Sequence, residues 1–219
     1  MFATTPLRIV AVSAGLSQPS STRLLADRLA TAARERLAAD QDRNVDVHVI
    51  ELRDLAVDIA NHLVSGFPPA ALREAIDAVT EADGLIAVTP VFTASYSGLF
   101  KSFFDLIDHT ALTGKPVVIA ATGGTARHSL VLEHALRPLF AYLRAVTVPT
   151  SVYAASEDWG SSGDEYTEGL PSRIRRASGE LASAVLGRTV SGASRTPGLD
   201  DGEDALVPFE QQLADLRLD

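Results

Sequence analysis

Cysteine is missing from this chain, which excludes disulfide bonds, thiolate metal ligands and cysteine nucleophiles. The sequence also has no apolar run long enough to cross a bilayer. Its first residues do not combine a basic segment with an apolar one, as a secretory signal does. These absences are typical of a cytoplasmic protein, so we expect that location and no membrane partner.

Positive charge is scarce in this chain. It has 19 Lys and Arg residues against 28 Asp and Glu residues, which gives a net charge of −9. Nucleic acid binding requires a cationic surface, so we expect no nucleic acid partner. An acidic protein can still bind a phosphate group through backbone N–H and hydroxyl groups at the start of a helix.

Several motifs of nucleotide-binding and catalytic proteins are absent. The sequence has no Gly-x-x-x-x-Gly-Lys, no Gly-x-Gly-x-x-Gly and no Gly-x-Ser-x-Gly. These absences argue against ATP or GTP hydrolysis, the dinucleotide-binding fold and the α/β-hydrolases. The five histidines form no pair with the spacing of metal ligands on a helix, so we expect no metal site.

Short runs rich in β-branched residues alternate with helical patterns over most of the chain. The runs predict five strands, at residues 7–13, 45–50, 84–89, 115–121 and 146–154. The intervening periodicity predicts helices at 21–39, 70–81, 97–109, 129–144 and 172–186. This alternation indicates a parallel five-stranded sheet of order 2-1-3-4-5, covered by helices on both faces. In such a sheet, ligands bind beyond the carboxyl ends of strands 1, 3 and 4.

The chain divides into one domain, residues 1–187, and an extended C-terminal tail, residues 188–219. The tail is rich in Gly, Ser, Pro and Asp and ends with apolar residues at helical spacing. It is either a loose tail or an arm that docks Phe209 and Leu213 on a neighbouring subunit.

The loop after the first strand carries hydroxyl groups into the start of a helix. Five hydroxyl residues lie between residues 13 and 22, and free N–H groups at a helix start favour a phosphate. N-capping by Ser20 or Ser21 explains one hydroxyl but not five. We therefore predict a phosphate site here.

Two further loops have the composition of a binding site for a flat ring. After the third strand, Pro90 is expected to end the strand and leave the next residues extended, with Phe92 covering one face of the ring. After the fourth strand, Gly123 and Gly124 allow close approach of the backbone to a planar ligand. Arg127 or His128 is either a contact for a nicotinamide phosphate or a structural residue.

Together these three loops resemble those of the NADPH-dependent FMN reductases. The motifs are Ser-x-Gly-x-Ser-x-x-Ser-Ser-Thr after strand 1, Thr-Pro-Val-Phe-x-x-Ser-Tyr-Ser-Gly-x-x-Lys after strand 3 and Thr-Gly-Gly-Thr after strand 4. They are most similar to the reductases that serve luciferase-like flavin monooxygenases. The resemblance covers about residues 7–187 and implies a flavodoxin-like three-layer α/β sandwich.

The resemblance implies roles for the matching positions. The FMN phosphate would be held by Ser13, Gly15, Ser17, Ser20, Ser21 and Thr22. The isoalloxazine and its ribityl side would be lined by Pro90, Val91, Phe92, Thr93 and Ala94. The pyrimidine side of the ring would contact Thr122, Gly123, Gly124 and Thr125. Many relatives have arginine in place of Ser17, so another residue, Arg23 among the candidates, is expected to supply positive charge.

The implied activity is hydride transfer from NADPH or NADH to FMN, with reduced flavin passed to a monooxygenase. Hydride transfer requires stacking and alignment rather than an acid or base, so no catalytic side chain is predicted. The resemblance also implies a homodimer or homotetramer. The alternatives are a quinone, azo-dye or chromate reductase that keeps its FMN, and a non-enzymatic electron carrier of the flavodoxin kind.

Overall fold

A parallel sheet runs through the centre of the protein. The computed structural model describes residues 6–39, 44–160 and 169–192, with side chains described as far as residue 188. The strands are β1 (Leu7–Ser13), β2 (Val45–Glu51), β3 (Gly84–Phe92), β4 (Ser95–Tyr96), β5 (Pro116–Gly123), β6 (Val146–Thr147) and β7 (Val152–Ala155). Their order across the sheet is β2-β1-β3-β5-β6, with β7 also paired to β5 and β4 antiparallel to β3.

Helices cover both faces of this sheet. They are α1 (Ser21–Ala39), α2 (Ala56–Ser65), α3 (Ala70–Glu81), α4 (Gly98–Phe104), α5 (Arg137–Tyr142) and α6 (Leu170–Gly192). One apolar core lies between the sheet and α1 and α6, and a second lies between the sheet and the other four helices. The predicted three-layer α/β sandwich and its strand order are confirmed.

The sheet has seven strands rather than the predicted five. One extra strand is β4, which folds back on the end of β3. The other arises because the fifth predicted strand is broken between β6 and β7, where the N–H and hydroxyl of Thr150 donate to the Glu180 carboxylate of α6 instead of joining the sheet.

The prediction that Pro90 ends the third strand is wrong. Strand β3 continues to Phe92. The carbonyl of Val88 faces β1, where it accepts from the N–H of Ala14. Since alternate residues of a strand direct their backbone groups to the same side, Pro90 faces that side too. The pairing of β1 with β3 ends at Ser13 and Val88, so the missing N–H of Pro90 costs no hydrogen bond of the sheet.

Helix bounds differ from the prediction in three places, and one of them is α6 (Leu170–Gly192), which extends beyond the predicted residues 172–186 at both ends. The predicted helix 97–109 ends at Phe104, and turns follow in which Asp108 Oδ1 accepts from the Thr110 N–H at 2.8 Å. The predicted helix 129–144 contains a π-helical turn, Leu132–Leu136, before α5, and Pro138 falls in the first turn of α5, where its missing N–H is tolerated.

Helix α2 is not among the predicted helices. Its apolar residues Ala56, Ile59, Ala60 and Leu63 do recur at helical spacing, so the segment carries a helical signal. Among its side chains only Ile59 is fully buried, whereas Val57 and Val64 are exposed.

The predicted C-terminal arm, with Phe209 and Leu213, lies outside the described residues. The fold above belongs to one unit, residues 1–188, and a second unit spans residues 189–219. The division at residue 187 remains a prediction.

Lys115 is a buried cation at the end of the sheet opposite to the three loops. Its ammonium donates to the carbonyl oxygens of Ala82 and Thr80, and burial lowers its pKa from 10.5 to about 8, helped by Arg188 and Arg8 and opposed by Asp83.

We expect the stability of the wild type to rise relative to that of Lys115→Met as the pH is raised from 8 to 10.5. In this window the unfolded chain binds more protons at this lysine than the folded chain does. The difference in the free energy of unfolding, measured by urea denaturation, should change by about 3 kcal/mol over the full window. A difference that is constant with pH would show that Lys115 keeps its ordinary pKa.

Candidate functional site

The three loops singled out in the sequence meet at one edge of the sheet. The register aligns Ser13 with Val88 and Thr89 with Ala121, so the carboxyl ends of β1, β3 and β5 lie side by side. The hydroxyls of Thr22, in the first turn of α1, and Thr122, at the end of β5, form a buried hydrogen bond of 2.8 Å. This bond joins the first loop to the third.

The first loop folds back tightly on the start of α1. Ser20 caps the helix, since its Oγ accepts from the Arg23 N–H at 3.2 Å. A Cβ on Gly15 would lie 2.0 Å from this Oγ and 3.1 Å from the Cβ of Thr22. Glycine is therefore required at position 15 for this close approach. Ser17 and Ser21 are exposed at the surface of the loop.

Ser13 has a buried hydroxyl without a hydrogen-bond partner. It is fully buried at the end of β1, and its Oγ is one of the few buried side-chain polar atoms of the described residues that lack a partner. A buried polar atom is normally satisfied, so such an exception calls for a ligand or an ordered water. This is the behaviour expected of a hydroxyl in a polar binding site.

The second loop is a tight hairpin. Thr93 and Ala94 have φ values of 48° and 63° and connect β3 to β4 through the pair Phe92–Ser95. Positive φ at both central residues is the geometry of a type I′ turn, which Asn and Gly adopt more easily. Strain of this kind persists where the surrounding structure enforces it, often at functional sites.

Hydrogen bonds of Ser97 fix the hairpin to β3 and to the start of α4. The Ser97 N–H donates to the buried Thr89 Oγ1 at 3.0 Å, and the Ser97 hydroxyl caps α4 by accepting from the Phe100 N–H at 3.1 Å. Phe92 remains 45% exposed, with Val91 half-buried beside it. An aromatic face and an extended backbone are thus available at this edge.

The third loop is held by Tyr153 of β7. Its phenol donates to the Thr125 carbonyl at 2.9 Å. A Cβ on Gly123 would lie 2.0 Å from the phenol oxygen of Tyr153. Burial, together with the nearby Asp158 carboxylate, raises the pKa of Tyr153, so the phenol stays a proton donor at neutral pH. Gly124 and Thr125 are exposed above it.

Arg23 does not offer a free positive charge to the first loop. Its guanidinium lies 2.8 Å from Asp27 and 2.6 Å from Glu51, and the Asp27 hydrogen bond is the main cause that raises its pKa. A second arginine, Arg53, donates to the Ser17 carbonyl at 3.0 Å.

Arg53 and Tyr153 are site residues that the sequence reasoning misses. Arg53 lies in the turn Leu52–Leu55 just beyond the end of β2, and Tyr153 lies in the strand next to β5, so both reach the edge where the loops meet. Their positions beside predicted strand ends were the sequence signal that could have identified them as site residues.

Trp159 lies apart from the three loops. The Arg28 Cζ lies 5.2 Å from the centroid of the Trp159 ring, and Trp159 packs against the core that α1 and α6 cover. Arg127 and His128 are exposed in the third loop. Among residues 6–39, 44–160 and 169–192, no group of three or more His, Asp or Glu side chains could hold a metal ion. No helix in that part of the chain is long and apolar enough to span a membrane.

The sheet order, with three loops meeting at its carboxyl edge, defines a protein of the flavodoxin-like class. The family model described as NADPH-dependent FMN reductase matches residues 7–160. The chain is 42% identical to an FMN reductase (NADPH) of Pseudomonas aeruginosa over 85% of this chain and 96% of that one. It is 41% identical to the NADH-dependent FMN reductase SfnF of Pseudomonas fluorescens, over 83% and 93%. The structure of an oxidoreductase from Corynebacterium diphtheriae superposes with a TM-score of 0.78 at 47% identity, covering 84% of this chain and 99% of that one.

The chain therefore belongs to the NADPH-dependent FMN reductase family. The predicted family, the oxidoreductase class and the use of FMN with a nicotinamide co-substrate are confirmed.

Proposed function

We propose that the three loops form a single FMN site and that the enzyme reduces FMN there with NADPH or NADH. The observation that carries this proposal is the convergence of a hydroxyl-rich helix start, a strained hairpin and a paired-glycine loop at the carboxyl edge of β1, β3 and β5. The reaction balances as NADPH, FMN and one proton giving NADP⁺ and reduced FMN.

The phosphate end of the site would be the first loop. Helix α1 spans 19 residues, so its N–H groups and dipole favour an anion at its first turn. Exposed hydroxyls of Ser17 and Ser21, the half-buried Ser20 and the unpartnered Ser13 Oγ are neutral donors suited to a phosphate. Gly15 allows the close approach of Ser20 and Thr22, and Thr22 anchors the loop through Thr122.

The ring end would lie between the second and third loops. Residues 90–92 present an extended backbone that leads into the turn at Thr93 and Ala94, with Phe92 available as an aromatic wall. Thr122, Gly123, Gly124 and Thr125 form the opposite side, where the absence of a side chain at Gly124 leaves room for a planar group. Backbone N–H groups aimed at developing negative charge would favour the reduced flavin.

The chemistry of the step would come from the bound flavin and the nicotinamide, which accept and donate a hydride. The chain would bind and orient both molecules, so no side chain is required to act as an acid or base. Relatives that use NADPH and relatives that use NADH are both similar to this chain, so we leave both as co-substrates.

The acceptor would be a flavin-dependent monooxygenase that receives reduced FMN, which is the role of the reductases whose loops these resemble.

We also propose that the enzyme is a homodimer or homotetramer in the cytoplasm. Leu16, Phe92 and Leu130 support association, because each of the three loops exposes one of these large apolar side chains. Light scattering of the purified protein would measure the subunit count.

The direct test is anaerobic mixing of the protein with NADPH and FMN while the flavin absorbance is followed. We expect bleaching well above the uncatalysed rate, and weaker activity when riboflavin replaces FMN, because riboflavin lacks the phosphate. The double variant Ser20→Ala/Ser21→Ala should lose that preference for FMN. Bleaching no faster than that without enzyme would refute the proposed activity.

A further inference from the structure

Arg53 connects the end of β2 to the first loop. It lies 36 residues from Ser17 in the sequence, yet its Nη1 donates to the Ser17 carbonyl at 3.0 Å. With the Gln18 amide oriented so that its oxygen faces the guanidinium, that oxygen accepts from both Nη atoms. Arg53 thus binds two consecutive residues of the loop.

Glu51 fixes the guanidinium in place. Its carboxylate lies 2.9 Å from Arg53 Nη2 and 2.6 Å from Arg23 Nη1, and the side chains of Glu51 and Arg53 are each only 17% exposed. The carboxylate therefore joins the first turn of α1, the end of β2 and, through Arg53, the first loop. Partly buried charge-assisted bonds of this kind are stronger and better ordered than exposed ones.

The cluster provides no excess of positive charge. Its two guanidinium groups face three carboxylates, Glu51, Asp27 and Asp54, the last at 3.5 Å from Arg53 Nε. Direct neutralisation of a phosphate by Arg53 would have to compete with these carboxylates. Its effect on an anion in the loop must then be mainly geometric.

We infer that Arg53 is a positioning residue that makes the first loop selective for phosphorylated flavins. The C=O and N–H of a trans peptide point in opposite directions, so holding the Ser17 carbonyl on Arg53 turns the Gln18 N–H away from Arg53. The loop then keeps that carbonyl oxygen out of contact with an anion and leaves the N–H free to donate. This inference rests on the proposed FMN site.

The test compares FMN and riboflavin affinities, measured by quenching of flavin fluorescence, in the wild type and three variants. We expect Arg53→Ala to weaken FMN binding about tenfold while riboflavin binding changes less than about twofold. Arg53→Lys should not restore the preference, because an ammonium cannot span Glu51 and the Ser17 carbonyl as a planar fork does. Glu51→Gln should also weaken FMN binding, although it makes the cluster more positive.

The control is Arg8→Ala, which removes an exposed arginine paired with Glu81 and should leave both affinities unchanged. Equal losses for FMN and riboflavin in Arg53→Ala, or tighter FMN binding in Glu51→Gln, would overturn the positioning role. If Arg53→Ala does not fold, as judged by circular dichroism, Arg53→Lys and Glu51→Gln decide the matter. If the wild type binds no FMN, the proposed function itself is refuted. If the wild type binds FMN and Arg53→Ala binds it with the same affinity, only this inference is overturned.

Discussion

Gly15→Ala is expected to lower FMN reduction strongly at FMN concentrations that just saturate the wild type. The added Cβ would lie 2.0 Å from the Ser20 Oγ, which must leave its capping position, and 3.1 Å from the Thr22 Cβ, so the first turn of α1 must also shift by a few tenths of an ångström. Overpacking of this kind costs about 1–3 kcal/mol. Here the movement falls on the hydroxyls proposed to hold the phosphate, so we expect the loss mainly in FMN affinity, measured by calorimetric titration.

Gly187→Ala is the matched control for this substitution. Gly187 lies in α6, and a Cβ there would meet nothing within 4 Å. This variant should keep wild-type FMN affinity and gain slightly in thermal stability, because alanine favours the helix. If Gly15→Ala bound FMN as tightly as Gly187→Ala does, the first loop could not be the phosphate site.

Gly123→Ala is expected to raise the KM for FMN and to lower the melting temperature. Its Cβ would lie 2.0 Å from the Tyr153 phenol oxygen, which must give up its bond to the Thr125 carbonyl. Displacement of the phenol should cost about 1–3 kcal/mol, and each kcal/mol corresponds to about 2–4 °C in a chain of this size. Steady-state kinetics and calorimetry measure the two effects.

Two variants distinguish the clash with the Tyr153 phenol oxygen from a general effect of adding a methyl group to the third loop. Gly124→Ala adds a methyl group to the next residue, where nothing lies within 4 Å, and should leave the melting temperature unchanged. Tyr153→Phe combined with Gly123→Ala removes the clashing oxygen and leaves Cζ at 3.1 Å, so part of the lost stability should return. A melting temperature in Gly123→Ala equal to that of the wild type would contradict the close contact.

The strands and the edge where the loops meet could be predicted because local sequence determines them. Ile9, Val10 and Val12 make β1 largely apolar and β-branched, and the helix that follows begins at Ser21 as its capping pattern predicts. Once the strand order is inferred, the carboxyl ends of β1, β3 and β5 must lie together.

Contacts between distant segments could not be predicted in the same way. The Arg53–Ser17 contact depends on how the turn after β2 folds, and the Gly123–Tyr153 contact depends on a strand that the sequence pattern does not separate from β6. The type I′ hairpin was hidden because Thr93 and Ala94 are not residues that favour positive φ. The prediction that Pro90 ends the third strand was wrong for a related reason. Only the register shows that Pro90 lies beyond the last pair of β1 and β3, where its missing N–H removes no hydrogen bond.

The central claim is that the three loops form one FMN site, and a crystal structure of the protein with FMN tests it most directly. We predict the phosphate against Ser17, Ser20 and Ser21 at the start of α1, and the ring between residues 90–94 and 122–125. FMN bound elsewhere on the protein, or bound with its phosphate away from α1, would contradict the account.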